Sequence, residues 1–102
     1  MNLIVKSPVW DDLRTIGLRI AKDNPEAAER FVTAAEGSFE LLRQHPRIGR
    51  LRSFSVPGVR SWVIPDFQNY LVFYVPTSTE VQILAVLHGA QDLTRALAPR
   101  LE

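Results

Sequence analysis

The sequence contains no cysteine and only two histidines, His45 and His88, among its 102 residues. Disulfide bonds and thiolate metal sites are therefore excluded, and no carboxylates stand at spacings that would complete a zinc site with the histidines. We expect neither a metal ion nor another cofactor. No apolar run reaches the ~20 residues of a membrane span, and the N-terminus lacks the basic start and long apolar core of a signal peptide. These absences favour a cytoplasmic protein without membrane contacts.

Lysine is as scarce as histidine: the chain has only Lys6 and Lys22, compared with ten arginines. Acidic residues are missing from one region altogether. Between Leu41 and Pro65 there is no aspartate or glutamate, whereas five arginines fall there: Arg43, Arg47, Arg50, Arg52 and Arg60. Guanidinium groups favour planar partners such as phosphate or carboxylate. The stretch therefore predicts recognition of one of these groups without choosing between them.

Two proline-containing start signals predict a pair of helices. Ser7-Pro8 places serine at an N-cap and proline at the first helical position, and this helix should end near Lys22. Asp23-Asn24-Pro25 repeats the signal for a second helix that ends around Gln44, before Pro46. The link between the helices is too short for anything except an antiparallel hairpin.

Strands are predicted at both ends of this hairpin. The segments are Asn2–Lys6 before it and, after a loop over His45–Gly58, Val59–Ile64, Tyr70–Val75 and Val81–His88. Alternation places Leu71, Phe73 and Val75 on one face, and likewise Val81, Ile83, Ala85 and Leu87 on one face of the last strand. A short helix with Leu93, Ala96 and Leu97 closes the chain. The prediction is a single α+β domain over residues 1–102, with a helical hairpin packed on a small, largely antiparallel sheet in two layers.

The arginine-rich loop supplies one group of candidate binding residues. Arg47, Arg50 and Arg52 stand near Phe54, a combination that suits nucleic acid through phosphate attraction and base stacking. A carboxylate-rich partner would be held equally well, and a solvated basic loop is the plainer interpretation. Arg60 shares a strand face with Trp62, so it either holds a partner's phosphate or carboxylate or is paired inside the protein.

Other aromatic and titratable residues have competing interpretations. His88 is either a general acid or base, or a strand-end residue bonded to a nearby group such as Asp92, and we favour the second. Tyr70 and Tyr74 share a strand face, which is typical of packing within a sheet. Trp10 lies off the apolar stripe of the first helix and marks either a partner surface or the rim of the core.

A set of short motifs is spread over nearly the whole chain: Asp12-Leu13 with Ile16, Asp23-Asn24-Pro25 with Ala27-Ala28 and Arg30-Phe31, then Phe39, Leu42, Pro46, Gly49 and Arg50, then Arg60-Ser61, Tyr70-Leu71-Val72-Phe73-Tyr74, and Val86-Leu87-His88-Gly89-Ala90 with Asp92-Leu93. On these residues the sequence resembles the ParE/RelE superfamily of type II toxins nearly from end to end. Val9 and Gln91 depart from the pattern, which often has alanine and arginine there. The histidine–glycine–alanine segment and the Asn24-Pro25 start are more typical of ParE-like members.

The resemblance implies a growth-inhibiting toxin that poisons DNA gyrase and is neutralised by a ParD-like antitoxin in a tight hetero-oligomer. The complex would contact operator DNA only through the antitoxin. The candidate residues for antitoxin or target binding are Trp10, Arg47, Arg50, Arg52, Phe54, Arg60 and Trp62.

An enzymatic alternative stays open in the same superfamily, because RelE-like members cleave mRNA at the ribosome. Their metal-free chemistry uses arginines, lysines and a tyrosine or histidine, and the groups available here are Arg60, His88, Arg50 and Arg52. Neither lysine falls in the basic stretch, and arginine is a poor base, which lowers the weight of this alternative. A degenerate toxin that retains only antitoxin binding and operon repression is a third interpretation.

Overall fold

The N-terminal strand β1 (Asn2–Val5) leads directly into a hairpin of two helices, α1 (Ser7–Ala21) and α2 (Pro25–Gln44). As predicted, Pro25 is the first residue of α2, and the Asn24 side chain accepts a hydrogen bond from the Ala27 amide at 3.1 Å. The assignment of Ser7 as an N-cap is wrong, since Ser7 already lies in the first turn of α1 and Lys6 precedes it. The Lys6 amide donates to Ile83 O at 3.0 Å and its carbonyl accepts from Val9, so β1 runs into the helix without a separate cap.

The computed structural model describes residues 1–101 and contains four further strands, β2 (Arg50–Leu51), β3 (Arg60–Ile64), β4 (Phe67–Pro76) and β5 (Glu80–His88). The sheet order is β1-β5-β4-β3-β2, in which β1 runs parallel to β5 and the other neighbours are antiparallel. The chain ends with α3 (Leu93–Leu97) and a 3-10 turn, Ala98–Arg100. The predicted α+β class, with its hairpin, N-terminal strand and short closing helix, is confirmed.

Two predicted boundaries are wrong. The segment expected to be loop contains β2, which pairs with β3 through Arg50–Ser61 and Leu51–Arg60. The turn expected over residues 65–69 is shorter, because Phe67 already belongs to β4. Asp66 closes this turn with φ of 67°, a left-handed conformation that aspartate tolerates better than most residues.

The helices cover one face of the sheet. Their inward stripes meet alternate residues of the strands in one apolar cluster that includes Val9, Leu13, Ile16, Phe31, Ala35, Phe39, Leu42, Val72, Tyr74, Ile83 and Val86. Part of the opposite face is also covered, by α3 and by the segment between β2 and β3. Phe73, Ala85 and Leu87 lie there against Leu97, with Phe54 and Val56 packed at the side. The sheet therefore has a helix side and a second side that is only partly closed.

A bulge in β5 determines which residues reach each side. Phe73 pairs with Ala85 and Tyr74 pairs with Ile83, which leaves Leu84 as an extra residue. Val81 and Ile83 face the helices, but beyond the bulge Ala85 and Leu87 face the second side. The prediction that all four share one face is therefore wrong, because the extra residue reverses the alternation.

Candidate functional site

The turn between α2 and β2 is fixed by side chains from the sheet. The guanidinium of Arg60 donates to the carbonyl oxygens of Gly49 at 2.8 Å and Arg47 at 3.2 Å. The buried Tyr74 hydroxyl accepts a hydrogen bond from the Gly49 amide at 2.9 Å. The Arg60 guanidinium therefore neither pairs with a carboxylate of residues 1–101 nor projects freely into solvent. It is hydrogen-bonded to backbone carbonyl oxygens instead. These contacts hold the start of the arginine-rich stretch in one conformation.

Gly49 is required for this arrangement. A Cβ atom at this position would overlap the Tyr74 hydroxyl and approach the Ser61 carbonyl oxygen to 2.9 Å. The absence of a side chain therefore permits the turn to pass directly over Tyr74. Burial raises the pKa of the Tyr74 phenol, although the Gly49 amide and the Arg60 charge act in the opposite direction. The site therefore favours the neutral form of the Tyr74 phenol.

The arginines that follow are divided between the two sides of the sheet. Arg52 donates to the Ser61 hydroxyl at 3.1 Å and lies 5.7 Å from the centroid of Phe73, which places it on the second side. Arg50 pairs with Ser61 across the strands and shares that side. Arg60 pairs with Tyr74, a residue of the helix side. The arginines of this one stretch therefore lie next to β2 on both sides of the sheet.

Most of this positive charge has no internal counterpart. Arg43 is bound by Glu40, with Nε 2.9 Å from Oε1, and this contact lowers the pKa of Glu40. In the part of the chain that the structure describes, Arg47, Arg50 and Arg52 take part in no ion pair. Exposed apolar side chains accompany them, namely Ile48, Leu51 and Val63. A shallow groove of about 430 Å³ on the second side is lined by Ile48, Arg50, Arg52 and Val63, together with Ser61, Trp62 and Leu71.

His88 lies at the far end of β5 and faces the helix side. Its ring meets Tyr70 edge to face, with 5.1 Å between centroids, and its Nδ1 accepts a hydrogen bond from the Ala90 amide at 3.0 Å. The predicted partner Asp92 is instead the N-cap of α3, where it accepts from the Arg95 amide. Nδ1 of His88 is therefore already used as a hydrogen-bond acceptor within the turn. This geometry supports a structural role in the turn after β5.

The groups considered for RNA cleavage do not converge. Arg60 pairs with Tyr74 and His88 with Tyr70, four residues apart along β4. At about 3.3 Å per residue and 4.8 Å per strand, their backbones are roughly 16 Å apart. Arg50 and Arg52 lie on the other side of the sheet from both. No common position for a reacting phosphate follows from this arrangement.

The remaining aromatic candidates lie in different surroundings. Trp10 is half-exposed on α1, a helix that packs over β5 and not over β2. Phe54 packs against Phe73 and beneath the Arg52 guanidinium, 5.8 Å from its ring centroid. Trp62 packs on the helix-side core, and its buried Nε1 has no hydrogen-bond partner in residues 1–101. Phe54 and Trp62 therefore adjoin the arginine-rich edge, whereas Trp10 lies apart from it.

One constellation escaped the sequence analysis because its members are far apart in the chain. Asp12 binds the Arg100 guanidinium through both oxygens, with Oδ1 to Nη2 at 2.8 Å, and also accepts from the Val86 amide at 3.0 Å. Arg100 donates further to the Leu84 carbonyl at 3.2 Å. The contact with Asp12 raises the pKa of Arg100. These residues bind backbone groups of β5 at the point where β1 no longer covers it.

Neither a metal cluster nor a membrane helix is found in the described residues. Within residues 1–101 no group of three or more histidine, aspartate or glutamate side chains is placed to hold an ion. Over the same range, no helix combines the length and apolar character that a membrane crossing demands.

Comparison with known proteins gives a consistent result. Residues 3–93 match the family model of the ParE toxin of the type II toxin–antitoxin system parDE. The Y4kP protein of Sinorhizobium fredii is 31% identical over 85 residues, which cover 83% of this chain and 84% of the relative. Toxin ParE3 of Caulobacter vibrioides is 28% identical over 102 residues, with 98% and 99% covered.

A solved structure shares the fold as well. The chain is similar to one from the chromosomal ParDE toxin–antitoxin system of P. aeruginosa, with a TM-score of 0.73 and 25% identity over 86% of this chain and 95% of that one. The match of the family model extends over most of the sequence and over all residues of the sheet except Asn2, the first residue of β1. The chain therefore belongs to the ParE toxin family of type II toxin–antitoxin systems.

Proposed function

We propose that this toxin arrests growth by binding and poisoning DNA gyrase, and that a ParD-like antitoxin holds it inactive in a tight hetero-oligomeric complex. Operator DNA would be contacted through the antitoxin alone. Gyrase as the target derives from the resemblance to ParE-like members, and a target of this kind implies action in the cytoplasm. The similarity to a chain of the P. aeruginosa ParDE system supports the ParD-like partner.

The observation that carries the choice of docking over RNA cleavage is the separation of the candidate catalytic groups. Metal-free cleavage needs a base for the ribose 2′-hydroxyl, an acid for the leaving oxygen and cations at the same phosphate. Here the only histidine in the sheet is engaged with the Ala90 amide, and it faces away from Arg50 and Arg52. An exposed surface of arginine and apolar residues suits macromolecular docking better.

Purified gyrase provides the direct test. The toxin should inhibit supercoiling and cause cleaved DNA to accumulate, while message remains intact in cells arrested by its expression. His88→Asn removes the titratable ring but keeps an acceptor for the Ala90 amide, so we expect this variant to remain toxic. Codon-positioned mRNA cuts that disappear in His88→Asn, with gyrase unaffected, would refute the proposal and favour the ribonuclease alternative.

A further inference from the structure

We infer that the outer edge of β1 is a self-association site, at which two copies of this chain pair their β1 strands antiparallel and join their sheets across a two-fold axis. A dimer of this kind uses the same surface of both copies, so the edge must be complementary to itself. The inference concerns the free toxin and does not depend on which target the toxin acts on.

The backbone of β1 is paired on one side only. β1 is the last strand of the sheet and lies beside β5. The amides of Asn2 and Lys6 donate to carbonyl oxygens on that side at 2.9 and 3.0 Å, so the even-numbered residues direct their backbone groups toward β5. The N–H and C=O groups of Leu3 and Val5 therefore point outward, and no hydrogen bond to them is found within residues 1–101.

Two such strands fit together in a register centred on Ile4. Leu3 of one copy then lies opposite Val5 of the other, and their outward groups form a hydrogen-bonded pair on each side of the axis. All four outward groups of each strand find a partner in this register. Ile4 lies opposite its own copy, in the kind of pair that brings side chains closest. Because Ile4 is 38% exposed in the single chain, this contact removes apolar surface from water.

The sequence of β1 leaves this edge open to another strand. Charged side chains, proline and bulges commonly block exposed edges. Between Asn2 and Val5 there is no charged residue and no proline, and the pairing with β5 runs in an uninterrupted register. At β2, by contrast, Arg50 and Arg52 place positive charge that opposes a second copy of the same edge. Self-association is therefore expected at β1 and not at β2.

The side chains of β1 divide between the two sides of the sheet. Leu3 and Val5 pack against the helix-side core, so Asn2 and Ile4 face the second side. Lys6 continues this alternation, because its backbone is extended and its amide still donates toward β5. In the register centred on Ile4, Lys6 of one copy lies beside Asn2 of the other on the second side. The dimer thus places a cation at each end of the paired strands.

Glu80 provides the matching negative charge. It lies opposite Asn2 in β5, so Lys6 of the second copy stands two strands from it, roughly 10 Å between Cα atoms, which the two side chains span. Within one chain, Lys6 and Glu80 are four residues apart along neighbouring strands, roughly 13 Å, and form no ion pair. Glu80 accepts a hydrogen bond from the neutral Gln82 amide at 2.8 Å. The two charges therefore complement each other across the axis.

Sedimentation equilibrium of the free full-length toxin tests the site. The wild type should form a dimer whose fraction rises with concentration. Ile4→Lys places two like charges at the axis and should raise the dissociation constant of the dimer at least about tenfold. Val63→Lys is the matched control, because Val63 is also an exposed β-branched residue of a strand (45%), and it should change the constant less than about twofold. Thermal melts verify that both variants are folded.

A charge exchange tests the register. Lys6→Glu and Glu80→Lys should each raise the dissociation constant at least about threefold, since each opposes two like charges across the axis. The double variant should return the constant to within about twofold of the wild type, because the charges have only changed places. A purely structural role within one chain would not produce this rescue. Two losses that add in the double variant would refute the register.

Hydrogen exchange identifies the edge without substitution. The Leu3 and Val5 amides should exchange at least about tenfold more slowly in the dimer, whereas the Leu51 amide at β2 should be unchanged. A toxin that stays monomeric at every concentration, or a dimer that survives Ile4→Lys with both amides unprotected, overturns the inference. Protection that requires a different protein, with the toxin alone monomeric, assigns the edge to that protein and also overturns it. Gyrase inhibition is measured separately, so the proposed function stands in each case.

Discussion

The part of β5 beyond the end of β1 and the outer edge of β2 differ in whether their backbone groups have hydrogen-bond partners. Where β1 ends, the exposed part of β5 is closed by the chain's own side chains: Asp12 binds the Val86 amide, Arg100 the Leu84 carbonyl and Gln91 the His88 amide, at 3.0 to 3.2 Å. At β2, by contrast, Leu51 has no such cap within residues 1–101, and its surroundings are positively charged.

This difference shows how a small sheet can be protected on one border and reactive on the other. Unpaired strand edges invite pairing with other chains, and proteins normally block them with charges, coverings or short strands. The β5 border is blocked by a largely buried ion pair. The β2 border has only its shortness and its like charges, which repel another copy of the same edge but attract an acidic segment. The border left open is therefore selective for charge.

Removing the cap from β5 should have the largest effect on stability. Asp12→Ala leaves the Arg100 guanidinium, 22% exposed, without its carboxylate, and the Val86 amide without an acceptor. We expect the free energy of unfolding to fall by about 3 kcal/mol in urea denaturation. Asp11→Ala is the control, because Asp11 is 75% exposed and its pair with Arg14 should contribute less than about 0.5 kcal/mol. Equal losses in the two variants would contradict the role assigned to the β5 cap.

A smaller loss is expected at the β2 border, where the turn passes over Tyr74. Gly49→Ala places a Cβ against the Tyr74 hydroxyl and the Ser61 carbonyl, and the second is backbone that cannot rotate away. The expected cost is about 2 kcal/mol, measured by the same denaturation method. Gly37→Ala, within α2 and with no atom nearby, should instead stabilise by about 0.5 to 1 kcal/mol. A neutral Gly49→Ala would mean that the turn is not fixed as described.

The smallest effect concerns pH. Burial raises the pKa of Tyr74 above its ordinary value of 10.0, so the unfolded chain loses this proton first as pH increases. The stabilisation is therefore complete below about pH 10 and is lost as pH rises through the raised value. Stability measured from pH 9 to 11 should fall less steeply in Tyr74→Phe than in the wild type. Identical slopes in the two proteins would exclude Tyr74 as the source.

Local signals were sufficient for most of the fold but for little of the candidate site. The start of α2 could be predicted because Asn24 and Pro25 act through contacts within a few residues. The β5 cap could not, since Asp12 and Arg100 lie 88 residues apart and neither is unusual in its own segment. The arginine-rich stretch was evident from charge alone, yet its division between two sides depends on β2, a strand of only two residues.

The assignment of faces failed for a related reason. Leu84 is as apolar as its neighbours, so nothing in the residue pattern distinguishes the extra residue of a bulge from an ordinary strand position. The hydrogen-bond partners of the Arg60 side chain could not be predicted either. They are backbone carbonyl oxygens, which every residue type carries, so the sequence does not mark them.

The bulge also governs where titratable chemistry can arise in this sheet. Because Leu84 shifts the alternation, the imidazole of His88 and the guanidinium groups of Arg50 and Arg52 stand on opposite surfaces. If the same residues of β5 paired without this bulge, its last four side chains would change sides and the imidazole would lie on the same surface as two cations. In this architecture, one bulge in the pairing of β4 with β5 therefore decides whether an imidazole lies beside the exposed guanidinium groups.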